Sequence, residues 1–204
     1  MPTYFHFWDK SIDQLVENNI IKEEDKELYS YGLHQGLIII ANVVTTVIIG
    51  FIFGMVWQSI VFMATYLPLR SYAGGYHAKT QVQCYVFSIV LTSSILLAIK
   101  FIPWTDFICL SAAIFAGIII FAFAPMEDHN KPLDQREIVV YKRWTRIILT
   151  GELFVMLLVI ELGLNQILYC ISVSLLAMAG MLLIGKAKQL HDARCFYHCS
   201  RDRK

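Results

Sequence analysis

Charged and apolar residues are segregated along this chain. Leu28 to Leu69, Thr80 to Ile99, Phe107 to Met126 and Leu162 to Gly185 contain no Asp, Glu, Lys or Arg, and Ile147 to Gly163 is broken only by Glu152 and Glu161. A helix needs about 20 such residues to cross the hydrocarbon of a bilayer. The first run is too long for one crossing and just long enough for two, with Gly50, Gly54 and Trp57-Gln58 as the hairpin between them. The pattern therefore predicts an all-α integral membrane protein with six transmembrane helices, over about 31–52, 55–70, 83–101, 107–124, 147–163 and 166–185. The second span is the shortest, and a re-entrant hairpin is its alternative.

Ahead of the spans, Ile12, Leu15, Val16 and Ile20 recur at helical spacing against polar neighbours, which predicts an N-terminal amphipathic helix. It either packs on the other inner loops or lies on the lipid surface with Phe5, Phe7 and Trp8 dipping in. Seven acidic residues between Asp9 and Glu27 and no apolar core rule against a cleavable signal peptide. With no repeat and no low-complexity tract, the expectation is one membrane-embedded domain over 1–204: an amphipathic arm (1–30), a six-span core (31–185) and a basic tail (186–204).

Composition agrees with a lipid environment: 57% apolar, 16% charged, over 204 residues. Seventeen Lys and Arg against sixteen Asp and Glu leave a net charge of +1, so no basic surplus points to nucleic acid. The position of the cations is more informative. With six spans and an inner N-terminus, every Lys and Arg except Lys100 falls in the arm, the loop from Arg70, the loop from Pro125 to Arg146, or the tail. That is the positive-inside distribution, and it places both termini in the cytoplasm.

The loop after the second span reads Arg70-Ser71-Tyr72-Ala73-Gly74-Gly75-Tyr76-His77-Ala78-Lys79-Thr80, and Cys84 opens the next span. A thiol near neutral pH needs a base or a positive neighbourhood to supply thiolate, and His77, Arg70 and Lys79 offer both. On one continuous helix, however, seven residues would hold His77 and Cys84 about 10 Å apart along the axis. The chain must bend between them, and Gly74-Gly75 can adopt the backbone angles a bend needs. Taken alone, such a Cys is more often a small hydrophobe and such a His a solvated loop residue.

Arg70, Gly74-Gly75-Tyr76-His77-Ala78 and Cys84, with Ala124-Pro125 and Asn130-Lys131-Pro132-Leu133 after the fourth span, resemble the AgrB family of Gram-positive membrane peptidases. The resemblance implies a cysteine endopeptidase that acts on a small AgrD-like propeptide, the precursor of a cyclic quorum-sensing peptide. It implies that His77 and Cys84 are the catalytic pair, with Arg70, Gly74 and Gly75 in support, and it favours a homodimer. Lys131, Arg136, Lys142 and Arg143 would suit an acidic propeptide tail, although cations beside an anionic inner leaflet are explained by topology alone. Glu152 is expected to pair with an inner-loop cation, with His77 or Arg70 as the other choice.

Neither metal nor cofactor is expected. His191, Cys195, His198 and Cys199 crowd the tail, but four ligands in so short a stretch make a cramped tetrahedron. Small residues Ala112, Ala113, Ala116 and Gly117 in the fourth span and Ala177, Gly180 and Gly185 in the sixth permit close helix contacts. The competing reading is a non-enzymatic exporter of a peptide or small solute, in which Glu152 and the basic loops line a path.

Overall fold

The computed structural model describes residues 21–76, 80–126 and 134–201 and, in the arm, Gln14, Val16 and Asn18. The amphipathic arm thus lies mostly outside the described residues. Among these residues the fold is all helical: a 3₁₀ turn at Glu23–Asp25, then α1 (Lys26–Phe53), α2 (Val56–Ala73), α3 (Gln81–Phe101), α4 (Asp106–Phe123), α5 (Gln135–Glu161) and α6 (Asn165–Arg201). Each expected span has a helix. Two run well past the expected bounds: α5 begins before 147, and α6 carries on through most of the tail.

The boundaries follow from local chemistry. Gly54, at a φ of 67°, ends α1, and the Met55 N–H returns to the Gly50 carbonyl at 2.7 Å. Thr80 and Thr105 cap α3 and α4, each hydroxyl accepting from a first-turn N–H at 3.3 Å. Asp134 and Glu137 form a capping box, with the Asp134 N–H donating to Glu137 Oε2 at 3.1 Å, which explains the early start of α5. Gly163, also at a φ of 67°, makes the tight turn into α6.

Among the described residues four helices are long and apolar enough to cross a membrane: α1 over Gly36–Phe53, α3 over Val82–Phe101, α4 over Asp106–Phe123 and α6 over Asn165–His191. By composition α2 and α5 fall short of that standard, since α2 carries Gln58, Pro68 and Arg70 and α5 carries Arg146, Glu152 and Glu161.

The chain divides into two compact units, residues 1–45 and 46–204. In the first, the Lys26 ammonium stands 3.9 Å from the Glu23 carboxylate on an exposed surface, a pair of small energetic weight. The second holds the core. There α6 is central and packs on α2, α3, α4 and α5. One stripe of α4, Cys109, Ala113, Ala116 and Ile120, is buried with Leu168, Ile171, Leu175, Met178 and Leu182 of α6 and Leu149, Met156 and Val159 of α5. The small α4 residues therefore serve contacts within the chain. A second cluster joins Phe62 of α2, Ile95, Leu96 and Ile99 of α3, and Cys170 and Val173 of α6. The outer faces stay apolar and exposed, as at Ile114, Phe115, Ile118 and Phe121 of α4. Surface of that kind belongs against lipid.

Candidate functional site

Arg70 lies in the last turn of α2, and its side chain organises the glycine turn that leaves the helix. Nη1 donates to the Gly74 carbonyl and Nη2 to the Tyr76 carbonyl, the latter at 2.6 Å. The planar fork suits two diverging acceptors, which a lysine could not hold together. Gly74 has a φ of 74° and Gly75 a φ of 122°, conformations that side chains with a Cβ rarely adopt. The Gly74 N–H donates to the Arg70 carbonyl at 3.2 Å, closing the helix.

Two other segments fasten this turn. The Met126 N–H donates to the Ala73 carbonyl at 3.0 Å, and Gly74 pairs with Met126 in an isolated parallel bridge. The Tyr76 N–H donates to the Met181 carbonyl of α6 at 3.1 Å. Irregular backbone at a membrane edge survives only where its polar groups are paired or wet, and these bonds pair it.

The Tyr76 ring packs on Phe87 of α3 with centroids 5.5 Å apart, and the Lys188 ammonium lies 5.1 Å from the same ring. Phe87 is three residues beyond Cys84, so the two are neighbours on the helix surface. Cys84 itself is a half-buried free thiol in the opening turns of α3, its N–H bonded to the Thr80 carbonyl at 3.1 Å. One continuous helix does not run from Tyr76 to Cys84: α2 stops at Ala73 and α3 starts at Gln81, with Thr80 extended ahead of it.

Of the expected site residues, the structure thus brings Arg70, Gly74 and Gly75 into one knot and sets the chain that leaves it beside the opening turns of α3. His77 and Lys131 lie outside the described residues. Arg136, Lys142 and Arg143 are exposed on the first turns of α5. The ends of α2 and α5 are tied by Tyr72, which stacks on Trp144 at 5.8 Å and meets Tyr141 edge-on at 5.9 Å. The ion pair expected for Glu152 is not what its buried oxygen makes, since Oε2 has no hydrogen-bond partner among the described residues. Arg70 is turned away to the loop carbonyls instead. Among the described residues no three His, Cys, Asp or Glu side chains are gathered to hold a metal.

Sequence reasoning missed Met126, Met181 and Phe87. Nothing local marks them, because each joins the site through contacts distant in the chain. The Asp134-Gln135-Arg136-Glu137 capping box, by contrast, carries a readable signal.

Comparison with known proteins bears on the whole arrangement. The sequence model of AgrB, accessory gene regulator B, matches residues 8–184. The chain is similar to an AgrB-like protein of Clostridium perfringens strain SM101, 27% identical over 169 residues that cover 76% of this chain and 79% of that one. It is also similar to an AgrB-like protein of Listeria innocua, 29% identical over 131 residues, covering 61% and 62%, and to one of Clostridium acetobutylicum, 26% identical over 118 residues, covering 57% and 56%. No solved structure matches.

Proposed function

Because the chain belongs to the accessory gene regulator B family, we propose that it is a multi-pass cysteine endopeptidase of a bacterial cell membrane, cutting the C-terminal part from a small AgrD-like propeptide and promoting its cyclisation. The observation that carries this reading is the contact of Tyr76 with Phe87, 5.5 Å between ring centroids. It folds the chain that runs on into His77 back upon the helix that presents Cys84. With α2 ending at Ala73 and α3 beginning at Gln81, the reading does not require the two residues to share one helix.

In this reading all six helices cross the bilayer as one domain over 1–204. At about 1.5 Å per residue, the 18 residues of α2 span about 27 Å, close to the hydrocarbon thickness. An even number of crossings puts both termini, with the Arg70 knot, on one side, and the cations gathered there make that side cytoplasmic. The working form is a homodimer, and Lys131, Arg136, Lys142 and Arg143 receive an acidic part of the propeptide.

The chemistry runs in two stages. Cys84 thiolate attacks a peptide carbonyl of the propeptide while His77 takes the thiol proton. His77 then returns that proton to the leaving amine, and the C-terminal segment departs, leaving an acyl-enzyme thioester. An internal thiol or hydroxyl of the propeptide attacks the thioester, closing a ring and freeing Cys84. With a thiol this exchanges one thioester for another, so proximity is the main requirement. Water would give a linear acid, and a site at the hydrophobic edge of α3 limits its access. The Gly74 and Tyr76 N–H groups are already spent within the fold. The oxyanion donors in this reading are the Gln81 and Val82 N–H groups at the start of α3, since Gln83 already donates to the Thr80 hydroxyl and Cys84 to the Thr80 carbonyl.

Coexpression with the small open reading frame beside its gene, followed by mass spectrometry of the peptides, tests the proposal. Cleavage and cyclic product are expected from the intact chain and from neither Cys84→Ala nor Cys84→Ser. Cleavage that survives both variants would leave a transporter as the better account.

A further inference from the structure

Gly185 lies one residue past the segment that matches the family model, and the site described so far assigns it no part. Its surroundings are unusual for a helix surface. A methyl group at position 185 would meet main chain, standing 3.1 Å from the Tyr76 nitrogen and 3.2 Å from the Gly75 carbonyl carbon, and would collide with Met126 Sδ. The missing Cβ has a second effect. Side chains on a helix lean toward its N-terminus, so the residue at i+4 covers the carbonyl at i. Position 185 is i+4 to Met181, whose carbonyl is the acceptor for the Tyr76 N–H at 3.1 Å. A carbonyl oxygen has two lone pairs, and here glycine leaves the outward one open to a donor from another segment.

We propose that Gly185 is a positioning residue: it forms, with the Met181 carbonyl, a seat on α6 that holds Gly75 and Tyr76 and thereby fixes the point from which the chain runs on to His77. The residue bonded to Tyr76 is His77, so its Cα is about 3.8 Å from that of Tyr76 wherever the seat holds the turn. Met181, Gly185 and Lys188 follow one stripe of α6, at i, i+4 and i+7, and all three meet Tyr76. Arg70 holds the turn from inside the loop, whereas the seat fixes where the whole turn rests against the bundle. The inference rests on His77 and Cys84 being the catalytic pair.

The test compares Gly185→Ala with Gly180→Ala on the same helix, where an added methyl has nothing within 4 Å. Two readouts are taken on purified protein: kcat and KM for cleavage of the propeptide encoded beside the gene, and the rate of iodoacetamide alkylation at Cys84, followed on its own peptide by mass spectrometry. Gly185→Ala is expected to lower kcat at least tenfold with KM within twofold. It is also expected to slow Cys84 alkylation as far as His77→Ala does. Gly180→Ala is expected to leave both unchanged. Adding Met126→Ala to Gly185→Ala removes the nearest obstruction and is expected to restore kcat at least threefold, a rescue that general loss of fold would not give.

Wild-type kcat in Gly185→Ala, while His77→Ala is inactive, overturns the seat and leaves the peptidase reading standing. Absence of rescue in the double variant overturns it as well. Undiminished cleavage by both His77→Ala and Cys84→Ala overturns the peptidase reading, and the seat with it.

Discussion

Leu175 and Gly185 belong to the same helix, and they are enclosed in opposite ways. Leu175, in the middle of α6, is fully buried among other side chains in the cluster shared with α4 and α5. Gly185 has no side chain, and what lies over it is the main chain of Gly75 and Tyr76 with the Met126 sulfur. The contrast holds for the two regions as wholes. Within the bundle, each helix satisfies its own backbone, so neighbours are chosen by shape, small α4 residues against large α6 ones. At the rim near Arg70 the backbone leaves helical geometry and needs explicit partners, which Arg70, Ala73, Met126 and Met181 supply. Packing therefore decides whether the molecule holds together, and hydrogen bonding at the rim decides where the glycine turn rests, which in the proposed reaction sets the reacting groups. The two are separable by mutation.

The largest effect is expected at the rim. Gly74→Ala puts a methyl against the Met126 carbonyl oxygen, an atom of main chain with little freedom to give, at a φ of 74°. Propeptide cleavage in membranes is expected to fall about 100-fold, about 2.7 kcal/mol in barrier, with normal amounts of inserted protein by immunoblot. Activity near wild type would dissolve the distinction. Leu175→Ala strikes the bundle, where the loss is of packing and not of transfer from water, since the surroundings are as apolar as leucine. Its thermal or denaturant unfolding in detergent is expected to show about 2 kcal/mol of destabilisation, with kcat per folded molecule intact.

Arg70→Lys keeps the charge and loses the fork. Cleavage is expected to fall about tenfold, about 1.4 kcal/mol, without a matching change in the unfolding midpoint. The smallest effect belongs to Phe115→Ala, on the 61% exposed outer face of α4, where lipid replaces the ring. Stability within about 0.5 kcal/mol of wild type is expected. A larger loss there would mean that the face is covered by protein, as a homodimer contact would require.

Much of the scaffold was legible from residue type alone. The apolar runs located a helix for every expected span, the fifth despite Glu152 and Glu161, and Gly50-Gly54 marked the first hairpin. The early start of α5 escaped notice because its first turns, from Gln135 to Arg146, carry five charges that leave only the short apolar stretch Ile138 to Tyr141, although the capping box at Asp134 announced them. At the site, Arg70, Gly74, Gly75 and Cys84 stood out through their closeness in sequence, and the need for a bend followed from helix geometry. Met126 and Met181 could not be found that way, and Gly185 stood out only as a small residue that permits close helix contact. An ordinary apolar residue acquires a role there only through the segment that comes to rest on it.

The same limit applies to whole helices. The apolar windows of α4 and α6 have equal mean hydropathy, 2.4, yet 33% of one is buried and 61% of the other. Apolar length determines by itself that a segment suits hydrocarbon, because transfer from water depends on the residue and not on its neighbours. It does not say whether that segment faces lipid or protein, since both are apolar and hydropathy cannot tell them apart. Only tertiary structure decides it, by matching the small stripe of α4 to the large side chains of α6 and by laying a glycine turn over a bare place on a helix.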